Sequence, residues 1–181
     1  HGTIGAVARD SSGNIAAGTS TGGITNQMPG RVGDSPLPGC GTYANNDSVA
    51  ISCTGIGEAF VKEVAAHQVS DRVLYAKEEP VEAAKAALDG VARHHGDGGM
   101  IVVPAHGEGA MVFNSEMMNC GWKSPKVATC RVDAVVANRQ TSHKSTVGFE
   151  SMKDSTTVLE LPIWPANRSS TGQKHHLVMV L

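Results

Sequence analysis

An excess of basic residues is absent from this chain, which argues against a nucleic-acid-binding surface. Its 181 residues include 15 Lys and Arg and 17 Asp and Glu, for a formal net charge of −2 at pH 7. A protein that binds nucleic acid usually carries a basic stripe or patch that neutralises phosphates. We therefore expect no nucleic-acid partner.

Long apolar runs are absent as well. No stretch of the sequence approaches the roughly 20 apolar residues that a transmembrane helix requires. The polar, glycine-rich start lacks the apolar centre of a secretory signal peptide. We expect no membrane partner and a cytoplasmic location, unless a lost N-terminal segment carried a targeting signal.

The sequence also lacks the residue spacings of common metal sites. The four cysteines show no C-x-x-C pair, and the eight histidines show no H-E-x-x-H motif. His94 and His95 are adjacent and so point to different faces of a helix end, and H-H at residues 175–176 has no ligand motif beside it. We interpret the cysteines as reduced thiols and expect no metal and no other cofactor. The cysteines are Cys40, Cys53, Cys120 and Cys130.

The chain does contain enough apolar residues for one sizeable core, because 40% of its residues are hydrophobic. Helical spacing predicts helices over Glu58–Val69 and over Val81–His95, the second directly after Pro80. The pattern indicates an α+β fold, in which helices layer on one side of an antiparallel sheet. Strands are predicted at Ile4–Ala8, Ile15–Gly18, Val49–Cys53, Met100–Val103 and Ala110–Phe113.

A long connection at residues 22–44 contains little strand or helix signal, and such a loop in a compact domain usually has a function. Arg31 and Asp34 lie three residues apart within it. The pair suits an α-amino acid, because a guanidinium can bind its carboxylate and a carboxylate its ammonium. The alternative is that Arg31 and Asp34 pair with each other on the surface.

A second candidate site follows the predicted strand Val49–Cys53, where T-G-I-G (residues 54–57) leads directly into a helix. Such a turn presents backbone N–H groups and the positive end of a helix to one place, which would stabilise a carboxylate or a developing oxyanion. The alternative is a helix start whose glycines serve packing. A dinucleotide-binding loop is excluded, because it would require glycine where the chain has Phe60.

Thr3, which follows Gly2 at the front of the chain, is a candidate nucleophile. A threonine hydroxyl needs a base, and the α-amino group of an N-terminal threonine can serve once the Gly2-Thr3 bond is cut. Glycine suits a scission site, because it lets a hydroxyl approach the preceding carbonyl. The alternative is that Thr3 is a β-branched residue that opens a buried strand.

Four segments follow one another in a characteristic order and spacing: T-S-T-G-G (residues 19–23), P-G-R-V-G-D-S-P (29–36), G-C-G-T-Y-A-N-N (39–46) and S-C-T-G-I-G-E (52–58). They closely resemble the β-subunit of the N-terminal-nucleophile asparaginases, the family of isoaspartyl peptidases and glycosylasparaginases. The resemblance extends from Thr3 to about Trp122 and then weakens to scattered matches.

The resemblance implies a catalytic role for four residues and an autocleavage site at Gly2. Thr3 would be the nucleophile, which autocleavage between Gly2 and Thr3 would release. Thr21 would be the neighbouring hydroxyl that polarises the nucleophile and aids the cleavage. Thr54 and Gly55 would form the oxyanion hole.

The remaining implied roles concern the substrate. Arg31 and Asp34 would clamp its carboxylate and ammonium, and Gly57 would contact its amine through the backbone. The implied activity is hydrolysis of L-asparagine and β-aspartyl dipeptides through an acyl-enzyme that water resolves. The alternative within the family is a glycosylasparaginase acting on N-linked glyco-asparagine, for which we would expect a lysosomal location.

The resemblance also implies a four-layer αββα sandwich of the Ntn-hydrolase type. An α-subunit from the same precursor would complete it, and αβ units would form a homo-oligomer. Residues 1–122 would be the nucleophile-bearing part, and residues 123–181 a divergent segment that completes the same domain or is partly flexible. We interpret residues 123–151 as loop or insertion, and residues 177–181 as a strand or an exposed apolar end. Without an α half, the alternative is an inert amino-acid-binding fragment.

Overall fold

The computed structural model of the chain describes residues 2–123, 128–134, 157–160 and 177–180. Within these ranges the α-helices are α1 (Gly57–Glu63), α2 (Ala65–Asp71) and α3 (Pro80–Arg93). The strands are β1 (Thr3–Arg9), β2 (Ile15–Thr21), β3 (Thr42–Ala44), β4 (Val49–Gly55), β5 (Gly98–Pro104), β6 (Ala110–Phe113), β7 (Met117–Lys123), β8 (Ala128–Ala134), β9 (Thr157–Glu160) and β10 (Leu177–Val180).

The strands form two sheets of five. Sheet A has the order β2-β1-β10-β7-β8, and sheet B has the order β3-β4-β5-β6-β9. Neighbouring strands run antiparallel in both sheets. The β1-β2 hairpin is stabilised at its turn by Asp10, whose carboxylate accepts the backbone N–H groups of Ser12 and Asn14 at 2.8 Å each.

Two hydrophobic cores divide the described residues into layers. Phe60 and Leu88 belong to the core that joins the helices to sheet B. Val7, Ile101 and Phe113 belong to the core between sheets A and B. Sheet B contributes to both cores, because successive side chains of a strand point to opposite faces. The layers therefore run from the helices through sheet B to sheet A.

The predicted fold class is confirmed: the chain is α+β, with antiparallel sheets flanked by helices, and is consistent with an Ntn-hydrolase sandwich. In the described ranges, no helix covers the outer face of sheet A. That face exposes Ile4, at 66% of its surface, and Met117, at 58%. No helix among the described residues is both long enough and apolar enough to cross a bilayer.

The helix predicted over Glu58–Val69 was wrong in one respect, because it is broken at Val64. Val64 has φ 51° and ψ 44°, a left-handed conformation that separates α1 from α2. Such a conformation is rare for a β-branched residue. A π-helical turn at Arg72–Ala76 follows α2, and α3 begins at Pro80 as the sequence indicated.

The break has a physical reason in the hydrogen bonds at the start of α2. The N–H of His67 donates to the carbonyl of Gly39 at 2.8 Å, and the N–H of Ala66 donates to that of Cys40 at 3.3 Å. The first N–H groups of a helix have no partner within the helix. Here the long loop supplies their acceptors, so the turn at Val64 joins that loop to the helical layer.

Four strands were not predicted. Residues 123–151 were interpreted as loop or insertion, yet β8 lies there and pairs with β7 in the register Asn119 to Val132. The strand β3 lies within the long connection at residues 22–44, and β7 and β9 were also missed. Pairing with a neighbouring strand determines these strands, so local composition gives little signal for them. The strand predicted near residue 177 is confirmed as β10.

We predict that Val64→Asn stabilises the protein by about 1 kcal/mol, because asparagine tolerates the left-handed conformation that strains a β-branched residue. The free energy of unfolding from urea titration measures the effect. Val61→Asn, which lies inside α1, is the matched control and should give no gain, since asparagine and valine have similar helix propensities. A loss of stability at position 64 would contradict the prediction.

Candidate active site

Thr3 and Thr21 face each other across the β1-β2 pair at the same end of sheet A. They are register partners, and the Thr3 hydroxyl donates to the Thr21 hydroxyl oxygen at 3.2 Å. The backbone N–H of Gly23, with φ 82°, donates to the same Thr21 oxygen at 3.1 Å. Thr3 does open a strand, which is what the alternative role as a β-branched strand residue predicts. The hydroxyl pair is the additional feature that a purely structural role does not require.

The Thr3 side chain lies on the inner face of sheet A, toward sheet B. Val7, four residues along the same strand, is fully buried in the core between the sheets. Strand residues four apart share a face. Thr21 shares this face as the direct partner of Thr3. Thr3 is only half-buried and Thr21 is exposed, so the hydroxyl pair lies at the open end of the sandwich.

Thr54 lies on the opposing face of sheet B. Ala50 belongs to the core between the sheets, whereas Ile51 and Cys53 belong to the helix-side core. Ser52 and Thr54 therefore point toward sheet A by strand alternation. The strand ends at Gly55, whose φ of 143° is a conformation that favours glycine.

Two contacts place Thr54 at the same end of the sandwich as Thr21. The Ile15 N–H, at the start of β2, donates to the Asn46 side-chain oxygen, just before β4, at 2.9 Å. Further along both strands, the hydroxyls of Thr19 and Ser52 lie 2.6 Å apart. Strands β2 and β4 therefore run in the same direction on facing sheets. Thr21 lies two residues beyond Thr19 in β2, and Thr54 lies two residues beyond Ser52 in β4.

Thr19 and Ser52 were not identified from the sequence. The Thr19 hydroxyl also lies 3.1 Å from the carbonyl oxygen of Gly41 and donates to it. That oxygen accepts the backbone N–H of Cys53 at 2.9 Å as well. The Gly41 carbonyl therefore ties the end of the long loop to both sheets. The available signal was the T-x-T spacing, which puts Thr19 on the same face as Thr21.

Asp34 is a buried carboxylate held between two glycines. It is only 5% exposed. A Cβ atom at Gly41 would lie 2.7 Å from its Oδ2 atom, and one at Gly57 would lie 2.8 Å from its Oδ1 atom. These contacts would be too close, so only glycine fits at either position. Gly57 and Asp34, which the sequence predicted to share a site, are therefore in contact.

One oxygen of Asp34 lies without a hydrogen-bond partner in the part of the chain that the structure describes. Its Oδ2 atom is buried and accepts no hydrogen bond from the described residues. Burial raises the pKa of Asp34, although its backbone hydrogen bond and the charge of Arg31 act in the opposite direction. An unpaired buried carboxylate is costly. The site therefore favours a cationic or hydrogen-bond-donating group beside this oxygen.

Arg31 forms its ion pair with Glu58, contrary to the alternative that it pairs with Asp34. Its Nε atom donates to Glu58 Oε1 at 2.7 Å, and its Nη2 atom donates to Glu58 Oε2 at 3.0 Å. The hydrogen bond from Arg31 lowers the pKa of the Glu58 carboxyl to about 2. Glu58 was quoted within the 52–58 motif, but no role had been assigned to it.

The expected cluster of free N–H groups at residues 54–57 is smaller than predicted. The Ile56 N–H donates to the carbonyl of Asp97 at 2.9 Å, so it is not available to a ligand. The helix α1 does begin at Gly57, next to Asp34 and Arg31. Thr54 and Gly55 thus lie between the hydroxyl pair and the Arg31-Asp34 region.

The other reactive side chains near the site do not suit nucleophilic chemistry. Cys40 and Cys53 are buried free thiols. Burial raises the pKa of both, so the thiol form is favoured over the thiolate. Cys120 is also buried. The side chain of Cys130 lies outside the described part of the chain.

The residues considered for a metal site lie elsewhere. The Nε2 atom of His94 is 3.4 Å from Glu63 on the helical side of the molecule. No group of three His, Cys, Asp or Glu side chains that could hold a metal ion occurs within the described ranges. Residues 175–176 lie outside those ranges.

Comparison with known proteins identifies relatives of the chain. Residues 1–131 match the family model described as Asparaginase. The chain is 50% identical to an isoaspartyl peptidase of Salmonella typhimurium over 122 residues, which is 67% of this chain and 39% of that protein. It is 48% identical to an isoaspartyl peptidase of Escherichia coli over 122 residues, 67% of this chain and 38% of that protein.

A relative of lower sequence identity matches a similar share of this chain. A plant-type L-asparaginase of Pyrobaculum calidifontis is 42% identical over 125 residues, which is 68% of this chain and 42% of that protein. The chain therefore spans less than half the length of each of these three relatives.

We predict that the hydroxyl contact between the sheets is cooperative. Thr19→Val should destabilise the protein by about 1–3 kcal/mol, because it leaves the buried Ser52 hydroxyl without its partner. Ser52→Ala should have a similar cost. The double variant should lose clearly less than the sum, and urea titration of all four proteins measures the coupling. Strict additivity would show that the two hydroxyls do not interact.

Proposed function

The chain belongs to the asparaginase family, and from that premise we propose that it carries the nucleophile of an amidohydrolase acting on L-asparagine and β-aspartyl dipeptides. The observation that carries the proposal is the hydroxyl pair of Thr3 and Thr21 at the end of sheet A where Thr54 faces them from sheet B. The relatives described above are named for isoaspartyl peptidase and L-asparaginase activity, which favours this branch over glycosylasparaginase.

The first proposed step releases the nucleophile. The Thr3 hydroxyl attacks the Gly2 carbonyl carbon, the C–N bond to Thr3 breaks, and the nitrogen takes up a proton to become the free α-amine. Water then hydrolyses the resulting ester, which restores the hydroxyl and leaves Gly2 with a carboxylate. Thr21 accepts the hydrogen bond of the Thr3 hydroxyl at 3.2 Å and so polarises the attacking group.

In turnover, the same hydroxyl attacks the side-chain carbonyl of the substrate. The α-amine of Thr3 accepts its proton, because an α-amine with a pKa of about 7.7–8.0 is partly neutral at cellular pH. Thr54 and Gly55 stabilise the oxyanion, and a proton from the amine goes to the leaving ammonia or amino group. Water attacks the acyl-enzyme and releases L-aspartate. Loss of one oxyanion donor typically costs about 3 kcal/mol of transition-state stabilisation.

Substrate binding is assigned to the loop and the start of α1. The unpaired Oδ2 atom of Asp34 accepts the ammonium of the substrate. Arg31 binds the α-carboxylate, and Gly57 contacts the amine through its backbone. The side chains of Arg31 and Asp34 lie near each other, since Gly57 lies against both Asp34 Oδ1 and Arg31 Nη2.

We propose further that an α-subunit from the same precursor completes the sandwich, and that αβ units form a homo-oligomer. The exposed outer face of sheet A is where a further helical layer fits an αββα arrangement. The short coverage of the three relatives agrees with such a missing half. The division at residue 122 and the cytoplasmic location stay predictions from the sequence.

We predict that Thr3→Ala abolishes both processing and hydrolysis, because one hydroxyl serves both reactions. In the complete natural protein, mass spectrometry should find the bond after Gly2 intact, and ammonia release from L-asparagine should fall about 1,000-fold or more. Thr3→Ser is the control, since it keeps a hydroxyl and should retain both reactions in part. A cleaved or active alanine variant would refute the role of Thr3.

A second prediction follows from the raised pKa of Asp34. Acidification protonates this carboxyl at a higher pH than an ordinary aspartate, whose pKa is about 3.9. Affinity for the substrate ammonium should therefore weaken, with KM rising, as the pH falls through the raised pKa. The free energy of unfolding of the unliganded protein should instead rise as the pH falls through the raised pKa, because protonation removes the cost of a buried charge.

The measurement is KM for a β-aspartyl dipeptide as a function of pH. Asp34→Asn should raise KM at neutral pH by about tenfold or more and should remove this acidic limb. An acidic limb that persists unchanged in the asparagine variant would show that another group titrates.

A further inference from the structure

The bidentate contact between Arg31 and Glu58 leaves part of the guanidinium free. A guanidinium has five N–H donors. Glu58 accepts one from Nε and one from Nη2. Among the described residues, three donors have no acceptor, two on Nη1 and one on Nη2, and they lie away from Glu58.

The surroundings of that free edge are two glycines. A Cβ atom at Gly33 would lie 2.8 Å from Nη1, and a Cβ atom at Gly57 would lie 3.1 Å from Nη2. Side chains at these positions would crowd the guanidinium. Since Gly57 also lies against Asp34, the free edge of Arg31 and the unpaired carboxylate oxygen belong to the same small region.

Glu58 is well placed to fix the orientation of Arg31. It lies in the first turn of α1, so its backbone is part of a helix rather than of the long loop. Its side chain is 52% exposed, whereas that of Arg31 is 15% exposed. Glu58 therefore lies on the solvent side of the pair and holds the guanidinium from outside the site.

We propose that Glu58 is a positioning residue for substrate binding: it holds Arg31 by the Nε-Nη2 edge and directs the Nη1-Nη2 edge to the α-carboxylate of the ligand. The assignment rests on the proposed function, and it adds specificity for ligands with a free α-carboxylate. Two parallel hydrogen bonds require a fixed guanidinium plane, which a flexible arginine on a loop does not provide by itself.

The competing interpretation makes the opposite prediction. If Glu58 occupied the place of the substrate carboxylate, the ligand would have to displace it, and removing Glu58 would tighten binding. The separation of the occupied and free edges of Arg31 favours the positioning role. Direct measurement of ligand affinity distinguishes the two.

The experiment measures the Kd of L-aspartate by calorimetry, together with kcat and KM for a β-aspartyl dipeptide, in the complete natural protein. Glu58→Ala should weaken L-aspartate binding between about 10- and 100-fold and raise KM similarly, with kcat nearly unchanged. Glu58→Gln, which keeps the shape and one acceptor, should give a smaller increase. The α-amide of L-aspartate lacks the α-carboxylate, so its Kd should not change.

A matched control is Glu82→Ala. Glu82 is likewise an exposed glutamate in the first turn of a helix, and it forms an ion pair with Lys85 at 2.7 Å. This variant should leave every constant as in the wild type. Thermal melting of all variants shows whether each is folded. If Glu58→Ala does not fold, the comparison uses Glu58→Gln instead.

Each result has a definite meaning. Tighter or unchanged L-aspartate binding by both Glu58 variants overturns the positioning role, as does an equal loss of affinity for the α-amide. Failure of the wild type to bind L-aspartate overturns it as well. Binding with the expected Glu58 dependence, but without hydrolysis of asparagine or dipeptides, overturns only the proposed function.

Discussion

The hydroxyl contact between Thr19 and Ser52 is the interaction on which the candidate site depends. At 2.6 Å it joins sheet A to sheet B two residues before Thr21 and Thr54. No sequence-local structure connects the Thr3-Thr21 hydroxyl pair to the proposed oxyanion residues Thr54 and Gly55, since the two groups lie on different sheets. The Gly41 carbonyl adds the long loop to the same junction. A small polar cluster thus sets the distance between the groups to which the proposed function assigns one substrate.

Much of this site could be predicted from the sequence, because its residues lie in short, ordered motifs. Thr3 was a candidate from its position after Gly2 and Thr21 from the resemblance, and the hairpin between them keeps the register simple. The resemblance supplied roles for Arg31, Asp34 and Gly57, which the structure places beside one another. Local sequence also identified five strands and the helix that starts at Pro80.

The remaining features depend on partners distant in sequence. The break at Val64 follows from acceptors at residues 39–40, which helical periodicity cannot show. The role of Glu58 depends on the position of Arg31, 27 residues earlier in the chain. Strand β9 is defined by its pairing with β6, which lies more than 40 residues earlier in the chain. In each case the decisive energy comes from a long-range contact rather than from intrinsic propensity.

The position of β10 in sheet A affects how the protein can be assembled. This strand, at residues 177–180, lies between β1 and β7 and pairs with the strand that carries Thr3. The β1-β2 hairpin can form early, but its neighbour emerges from the ribosome more than 150 residues later. Contacts of such long range slow folding. Sheet A therefore closes only after residues 177–180 have been synthesised, so any chemistry that requires the closed sheet is delayed until translation of this region is complete.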